Sequence, residues 1–329
     1  MFLFIRKEII PNEYRTPIIP KDIPILLKHN FTVYVESSST RCFSDKEFKK
    51  YGAIIVSDHW FNYNATVLGL KELDHPEYLD HNIHIYFAHC YKKQEHAEKL
   101  LTQFKHSNSI LYDLEYFTYS NQQRCLAFGF YAGIAGCILA LNHFHKPLGP
   151  LSYIKHINKA IFEILTFKLS PSIAVVGIHG RCGQGVCNVL NILRIKYDGY
   201  TSEHKKTYLE KYDIVFNCIY LTKYIHPWFT HNTNFKKPII ICDISCDPYH
   251  EYNPIQIYNE PTTWENPVYQ YNDNVSIIAI DNLPSLVPNE SSIYFSNKMV
   301  ELLLLKSNDT QHIWKRNLKT YDSSIKSIE

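Results

Sequence analysis

The chain has 329 residues, of which 45% are hydrophobic and 20% are charged, and its formal net charge is +2. These values are typical of globular proteins and exclude a disordered chain, and the length allows one large domain or two medium ones. The near balance of 34 basic and 32 acidic residues provides no basic face for a phosphate backbone, so we expect no nucleic-acid partner.

Cysteine usage and the start of the chain bear on the cellular compartment. The nine cysteines are an odd number without the spacing of a disulfide framework, and charged residues 6–8 interrupt the short apolar start. We therefore expect reduced thiols and a cytoplasmic location. The apolar segment 128–141 is too short to cross a bilayer, so we expect a buried helix and no membrane association. No histidine pair has convincing zinc spacing beside cysteines, and we expect no metal site.

The first part of the chain alternates short apolar segments with amphipathic ones. Strands and helices that alternate in this way predict an α/β domain with a mainly parallel sheet. The predicted strands are residues 2–7, 31–37, 53–57, 66–70, 83–90 and 109–117, and the predicted helices are residues 15–30, 45–52 and 95–106.

A second α/β set follows a glycine-bearing helix and a linker rich in proline and glycine. Its predicted helices are residues 128–142 and 156–167, and its predicted strands lie at residues 173–176, 213–220, 238–245 and 275–286. A last helix at 291–306 returns to the first domain, and the polar final dozen residues are expected to fray. The chain is thus predicted to form one domain from residues 1–127 plus 286–329 and another from residues 128–285.

A glycine cluster in AVVGIHGRCGQG follows the first strand of the second set. Gly177, Gly180, Gly183 and Gly185 stand between a β-branched run and a helix. In this arrangement the glycines allow a tight turn and close backbone approach, and the helix N-terminus favours a pyrophosphate. The spacing differs from GxGxxG, and a plain turn is the alternative interpretation.

An acidic residue that binds the adenine ribose is expected at the end of the next strand, about 20 residues further on. Asp198 in RIKYDGY has this spacing. Its carboxylate would repel a 2′-phosphate and favour NAD over NADP. An ordinary Asp-Gly turn is an equal alternative.

Five ionisable residues stand at the edges of apolar segments of the first domain: Arg15, Lys71, His89, Glu115 and Arg124. His89 ends the strand HIYFAHC and titrates near neutral pH, so it can both give and take a proton. Lys71 ends the preceding strand, and the ends of parallel strands meet at one edge, so both side chains are expected to face one site. A solvated loop lysine is the alternative. Arginine at such turns suits a carboxylate, so the set indicates a carboxylate-bearing substrate.

A series of short motifs runs along nearly the whole chain: IRKE with NEYRTPIIP, GLKEL, FAHCYK, LYDLEYF, RCLAFGFYAGIAG, VGIHGRCGQG, VFNCIYL, CDISCD with NPIQIY, and IDNLPSLVP. In this order they resemble the motifs of the NAD-dependent, lysine-forming saccharopine dehydrogenases, of the alanine dehydrogenase-like two-domain family. The resemblance implies two Rossmann-like α/β domains with mainly parallel, twisted sheets and an active site in the cleft between them. It also implies a monomer.

The resemblance further implies the reaction, the last step of the aminoadipate route of lysine biosynthesis. Hydride passes from saccharopine to NAD, and water splits the imine into L-lysine and 2-oxoglutarate. Lys71 would take the proton of the secondary amine, and His89 would serve imine hydration and collapse of the carbinolamine. Substrate contacts would come from Arg15, Lys92, Glu115, Arg124, Phe128 and Asp281. Cofactor contacts would come from Gly177, Gly180, Arg181, Cys182, Gly183, Asp198, Cys218, Tyr220, Asp281 and Leu283.

The resemblance also assigns finer roles to some of these residues. Glu115 would tune the charge of the basic cluster, and Asp281 would close the site toward Lys92. Cys182 and Cys246 match a cysteine pair that can approach in the nucleotide domain, and in a reducing cytosol they are expected as thiols.

The chain departs from the family pattern near the cofactor. The segment between the glycine cluster and the next strand is shorter than usual, and Tyr14, His179, Asn282 and Asn289 replace the usual residues. Two alternatives therefore stay open. One is a related dehydrogenase with a different pair of amino and keto acids, and the other is a non-catalytic binding protein with a decayed cofactor site.

Overall fold

The protein, represented by a computed structural model, consists of two compact units. Unit 1 comprises Met1–Ala127 and Pro288–Glu329, and unit 2 comprises Phe128–Val287. The structure describes residues 1–91, 97–201, 208–221 and 224–328. Each unit is built around one six-stranded sheet. The prediction of two Rossmann-like α/β domains with mainly parallel sheets is confirmed.

The strands and helices of the described residues are mostly shorter than predicted. The strands are β1 (Phe2–Ile5), β2 (Thr32–Glu36), β3 (Ile54–Val56), β4 (Thr66–Leu68), β5 (Ile83–Tyr86), β6 (Ile110–Asp113), β7 (Ile173–Val176), β8 (Asp198–Tyr200), β9 (Ile214–Asn217), β10 (Ile239–Asp243), β11 (Tyr269–Asn272) and β12 (Val275–Ile278). The helices are α1 (Ile23–Lys28), α2 (Asp45–Lys50), α3 (Ala97–His106), α4 (Gly129–His145), α5 (Ile157–Thr166), α6 (Arg181–Leu193), α7 (Pro288–Leu305) and α8 (Ile313–Lys326).

Unit 1 has an all-parallel sheet with the strand order β3-β2-β1-β4-β5-β6. The chain runs outward from β1 to β3 and then restarts on the other side of β1 with β4. In open α/β sheets, ligands bind outside the carboxyl ends of the strands where the strand order reverses. The carboxyl ends of β1 and β4 form this switch point in unit 1.

Unit 2 has the strand order β11-β12-β10-β9-β7-β8. All neighbouring pairs are parallel except β11 with β12, which is an antiparallel edge pair that was not predicted. The order reverses between β7 and β9, so their carboxyl ends form the switch point of this unit.

Helix α4 is the buried helix that the apolar, small-residue sequence predicts. Its residues 132–141 are all buried. A Cβ atom on Gly133 would lie 2.9 Å from the backbone nitrogen of Val186, so the glycine lets the backbones of α4 and α6 approach each other. Within the described ranges, no helix is long and apolar enough to span a membrane.

Two predicted segments differ from the structure. The predicted helix 15–30 is helical only from Ile23 to Lys28, after a short 3₁₀ turn, because repeated prolines are tolerated only in a first helical turn. The prediction that the final dozen residues fray is wrong, since α8 is ordered to Lys326. Tyr321 of α8 is 7% exposed, and its hydroxyl donates to the carbonyl oxygen of Ser109.

Candidate active site

The carboxyl edge of the sheet in unit 1 brings Lys71 and His89 together. Each lies three residues beyond its strand, Lys71 after β4 and His89 after β5, and these strands are neighbours. The positive charge of Lys71 opposes protonation of His89. The predicted strand 83–90 was too long, because β5 ends at Tyr86 and His89 stands in the loop that follows.

The backbone of His89 has an uncommon conformation that a buried carboxylate supports. Its φ is +49°, in the left-handed region that non-glycine residues rarely adopt. The His89 N–H donates to the Asp113 carboxylate at 3.2 Å, and the N–H of Glu115 donates to the same carboxylate at 2.9 Å. Asp113 is fully buried, and burial raises the pKa of its carboxyl group to about 6. Asp113 thus fixes the backbones of His89 and Glu115 relative to each other.

The Glu115 carboxylate lies between the His89 ring and the Arg124 guanidinium. Its Oε2 is 3.7 Å from Nδ1 of His89, and its Oε1 is 3.4 Å from Nη1 of Arg124. Glu115 raises the pKa of His89 above its ordinary value, against the opposing effect of burial. The Glu115 carboxylate therefore favours the protonated form of the His89 ring.

The two arginines of the predicted set differ in their surroundings. The Arg15 side chain is 4% exposed, and its Nε and Nη2 donate to the two carboxylate oxygens of Glu13 at 2.8 and 2.5 Å. The Arg124 side chain is 37% exposed. Arg124 is therefore the more accessible guanidinium, whereas the fork of Arg15 already faces a carboxylate of the chain. Carboxylate binding by either residue stays a prediction.

The glycine turn of unit 2 follows β7 at the switch point. Gly177 has a φ of +90°, and its N–H donates to the carbonyl oxygen of Tyr200 at 2.8 Å. A Cβ atom on Gly177 would lie 2.9 Å from the carbonyl oxygen of Cys218, and one on Gly183 would lie 2.7 Å from Cα of Ile178. Any side chain at these two positions would therefore force the turn apart.

Helix α6 opens immediately after this turn, with Arg181 as its first residue. Gly180 is the N-cap residue and, as a glycine, brings no side chain of its own to the helix start. A 13-residue helix that begins at a glycine turn presents N–H groups and a positive dipole end. This donor set fits the pyrophosphate of a dinucleotide.

The expected position of Asp198 is wrong. Asp198 opens β8 instead of closing it, and it pairs with Ala174 near the start of β7. The carboxyl end of β8 is Tyr200, so Asp198 lies at the opposite end of the strand from the glycine turn. Its carboxylate accepts a hydrogen bond from the hydroxyl of Tyr212. The pairing register is the reason, because Tyr200 and not Asp198 stands opposite Val176 at the carboxyl end of β7.

Lys92 lies outside the described residues. The other residues predicted to contact substrate or cofactor lie at separate positions in unit 2. Cys218 is buried and follows β9, next to the glycine turn. Tyr220 is 67% exposed, and Leu283 is buried. The remaining positions are Phe128, the N-cap of α4, Asp281, exposed after β12, and Cys182 in the first turn of α6.

The cysteines of unit 2 are thiols, as are all nine of the chain. Cys246 lies near Asp281, whose charge adds to the effect of burial and raises the pKa of the Cys246 thiol. Among the described residues, no group of three or more histidine, cysteine or acidic side chains is arranged to hold a metal ion.

Sequence reasoning missed three carboxylates that order the edge of unit 1: Glu8, Glu13 and Asp113. Glu8 was interpreted only as one of the charges that interrupt the apolar start. Asp113 stands inside the motif LYDLEYF, and Glu13 stands inside NEYRTPIIP. These three carboxylates could have been recognised because each stands near a strand end or within two residues of a predicted site residue.

Family models match most of the chain. The alanine dehydrogenase/PNT N-terminal domain matches residues 4–135, and the C-terminal domain of the same family matches residues 195–325. The lysine-forming, NAD(+) saccharopine dehydrogenase of Schizosaccharomyces pombe is 35% identical over 364 aligned residues, which cover 99% of both chains. The chain belongs to the saccharopine dehydrogenase family. The enzyme of the same name from Emericella nidulans is 33% identical, over 99% of this chain and 98% of its own.

Structural comparison supports the same fold. An L-alanine dehydrogenase superposes with a TM-score of 0.72 at 14% identity, over 97% of this chain and 94% of its own. The matched segments of the two family models leave out residues 136–194, which contain the glycine turn. Assignment of the turn therefore depends on its own geometry. The alignment with the S. pombe relative is longer than this chain, so that relative carries residues that this chain lacks.

Replacing Glu115 by glutamine is expected to lower the pKa of His89, because the change removes the carboxylate that stabilises the imidazolium. Histidine-selective NMR titration measures this pKa, with His89→Gln identifying the signal. Since a raised folded-state pKa stabilises the protein below the unfolded-state histidine pKa of about 6.5, the variant also loses stability below that pH, over the range in which wild-type Glu115 is ionised.

The matched control is Glu77→Gln, which removes the partner of a different histidine, His75, at 3.1 Å. This control is expected to leave the His89 titration unchanged. A His89 titration that is identical in wild type and Glu115→Gln would contradict the electrostatic assignment.

Proposed function

We propose that this protein is a saccharopine dehydrogenase that oxidises saccharopine with NAD to L-lysine and 2-oxoglutarate. The observation that carries the proposal is the placement of Lys71 and His89 on neighbouring strand ends, with Glu115 beside His89. The reaction needs successive proton transfers near neutral pH, and these two side chains supply them. The 35% identity to a relative named for this reaction, over 99% of both chains, supports the choice of substrate.

The cofactor and the acid–base residues have separate tasks in this scheme. NAD, held by the glycine turn and the start of α6, would supply the hydride acceptor for the oxidation of saccharopine. Lys71 takes the proton of the secondary amine. His89 removes a proton from the water that adds to the imine, while Lys71 returns its proton to the imine nitrogen. His89 then donates its proton to the amine that leaves, and the hydroxyl proton of the carbinolamine is released to solvent as the carbonyl forms. The charge of Glu115 stabilises His89 while it holds the proton.

The residues that hold the cofactor in this proposal are Gly177, Gly180, Arg181 and Gly183. The glycine turn and the start of α6 receive the pyrophosphate, since the helix begins at a glycine and presents its N–H groups and positive dipole end there. Asp198 is not part of the proposal, because it stands at the far end of β8. The preference for NAD over NADP is supported by the relatives, whose names specify NAD(+).

The substrate carboxylates are assigned to the arginines of unit 1. Arg124 is the primary candidate because more than a third of its side chain is exposed. Arg15 is kept as the second candidate, although its side chain is only 4% exposed and its guanidinium faces Glu13. We further propose that the enzyme is monomeric and cytoplasmic. Light scattering coupled to size-exclusion chromatography tests the first of these properties.

Oxidation of NADH by the pure protein in the presence of L-lysine and 2-oxoglutarate tests the proposed reaction. We expect turnover with this pair, and none when ornithine replaces lysine or pyruvate replaces 2-oxoglutarate. NADPH in place of NADH is expected to be a poor substrate. Turnover with another amino and keto acid pair alone would instead identify a related dehydrogenase, and no NADH binding at millimolar concentration would indicate a non-catalytic protein.

The double variant Lys71→Met with His89→Gln tests the assignment of the proton carriers. Loss of both groups is expected to lower kcat by at least about 100-fold, the ordinary contribution of acid–base catalysis. NADH binding, followed by nucleotide fluorescence, is expected to remain at the wild-type level because both residues belong to unit 1. Wild-type rates in this variant would refute the roles of both residues.

Gly183→Ala tests the glycine turn as the pyrophosphate site. The new Cβ would collide with the backbone of Gly177 and Ile178, so we expect NADH affinity to fall by at least about 10-fold as the turn is displaced. Gly149→Ala is the matched control, since its Cβ would meet no atom within 4 Å. Equal NADH affinity in the two variants would place the cofactor elsewhere.

A further inference from the structure

A buried ion pair lies at the carboxyl end of β1, beside the end of β4. The side chains of Arg6 and Glu8 are 0% and 4% exposed, and Nη1 of Arg6 is 3.4 Å from Oε2 of Glu8. Buried charges are costly unless hydrogen bonds compensate for lost water. The proposed mechanism uses neither residue, so their contacts need a separate explanation.

The contacts of this pair converge on the backbone of Lys71. Oε1 of Glu8 accepts the N–H of Leu70 at 2.7 Å, and Oε2 accepts the N–H of Lys71 at 2.9 Å. Nη2 of Arg6 donates to the carbonyl oxygen of Lys71. Both polar backbone groups of Lys71 are therefore held by charged side chains, and charge-assisted hydrogen bonds are the stronger kind.

The position of Arg6 is itself fixed by close packing. A Cβ atom on Gly69 would lie within 2.6 Å of Nη2 of Arg6, so the guanidinium lies directly against the glycine backbone. The backbone N–H of Arg6 donates to the carbonyl oxygen of Leu68, and the guanidinium carbon is 5.6 Å from the centre of the Tyr86 ring. The guanidinium therefore has little room to move away from Lys71.

Glu36, at the end of the neighbouring strand β2, provides a comparison within the same unit. Its side chain is 1% exposed, and its Oε2 accepts the N–H of Lys7 at 3.0 Å while Oε1 pairs with Nζ of Lys7 at 3.2 Å. Glu36 thus carries the same charge in a similarly buried position, but its side chain contacts Lys7 and, at 3.4 Å, Nδ1 of His59. If buried carboxylates in this unit served only to neutralise nearby cations, Glu8 and Glu36 would have the same role. Only Glu8 binds the backbone of Lys71.

We propose that Glu8, held in place by Arg6, is a positioning residue that fixes the backbone of Lys71 at the switch point of unit 1. The backbone restraint sets where the Lys71 side chain starts, and so limits the positions that its Nζ reaches during proton transfer. The inference rests on the proposed function for the role of Lys71 as proton acceptor. Asp113 restrains the backbone of His89 in the same manner.

Glu8→Gln compared with Glu36→Gln tests the proposal. Glutamine retains one acceptor oxygen but places an NH₂ group opposite the second backbone N–H. One of the two hydrogen bonds to the N–H groups of Leu70 and Lys71 is therefore lost. We expect Glu8→Gln to lower kcat by about 10-fold or more with the KM for NADH unchanged. Glu36→Gln is expected to stay within about twofold of wild type, since it makes no contact with Lys71. Equal losses in the two variants would overturn the proposal.

A double-mutant cycle separates positioning from a general structural effect. If Glu8 acts through Lys71, Glu8→Gln lowers kcat no further in the Lys71→Met background. An equal loss in both backgrounds would show that Glu8 supports the fold and does not position Lys71. Arg6→Lys is the second variant in case Glu8→Gln does not fold. Lysine keeps the charge but lacks the planar guanidinium. We expect Arg6→Lys to lower kcat in the wild-type background and to have no further effect in the Lys71→Met background.

Chemical labelling gives a readout that does not depend on the proposed reaction. The rate at which acetic anhydride acylates Lys71, relative to the exposed Lys21, is measured by peptide mass spectrometry. We expect the ratio to rise in Glu8→Gln, because the released turn exposes Lys71, and to stay at the wild-type value in Glu36→Gln. An unchanged ratio in Glu8→Gln overturns the inference even when lysine and 2-oxoglutarate support turnover. A raised ratio without turnover supports the positioning and refutes the proposed substrates.

Discussion

Hydrogen bonds from backbone N–H groups to buried carboxylates determine the geometry at the carboxyl edge of unit 1. Glu8 accepts two such groups in the turn after β4, and Asp113 accepts two after β5 and β6. Loops that leave a sheet have no ladder to fix them, so their conformation depends on such side-chain acceptors. The site residues Lys71 and His89 then present their own side chains without having to hold the loop in place.

Unit 2 has the same kind of strand-order reversal, but different contacts order the turn at its carboxyl edge. Its turn after β7 is ordered by close backbone packing at Gly177 and Gly183 and by the first bonds of α6. A carboxylate acceptor there would repel a pyrophosphate, whereas glycine leaves the N–H groups of the helix start available to an anion. The negative charge of the expected cofactor therefore accounts for the glycines in this turn.

The sequence was sufficient for features that depend on local pattern. Apolar alternation located the strands, and glycine spacing located the turn before α6. Features that depend on residues far apart in the sequence could not be predicted. Glu8 and Lys71 are 63 residues apart, and their contact forms only because β1 and β4 pair in the sheet. Asp198 was misplaced because spacing does not tell which end of a three-residue strand an acidic residue occupies. Helix α8 was missed because its polar composition hid the buried stripe that contains Trp314 and Tyr321.

Helix α8 links the end of the chain to the candidate site. Nδ2 of its Asn317 donates to the backbone carbonyl oxygen of Asp113 at 2.8 Å, and both residues are fully buried. Asp113, whose carboxylate restrains His89, is thus itself bound through its backbone carbonyl group by helix α8. Shortening the chain before Ile313, or a fusion that pulls α8 from the sheet, would disturb the histidine loop without altering any residue in it.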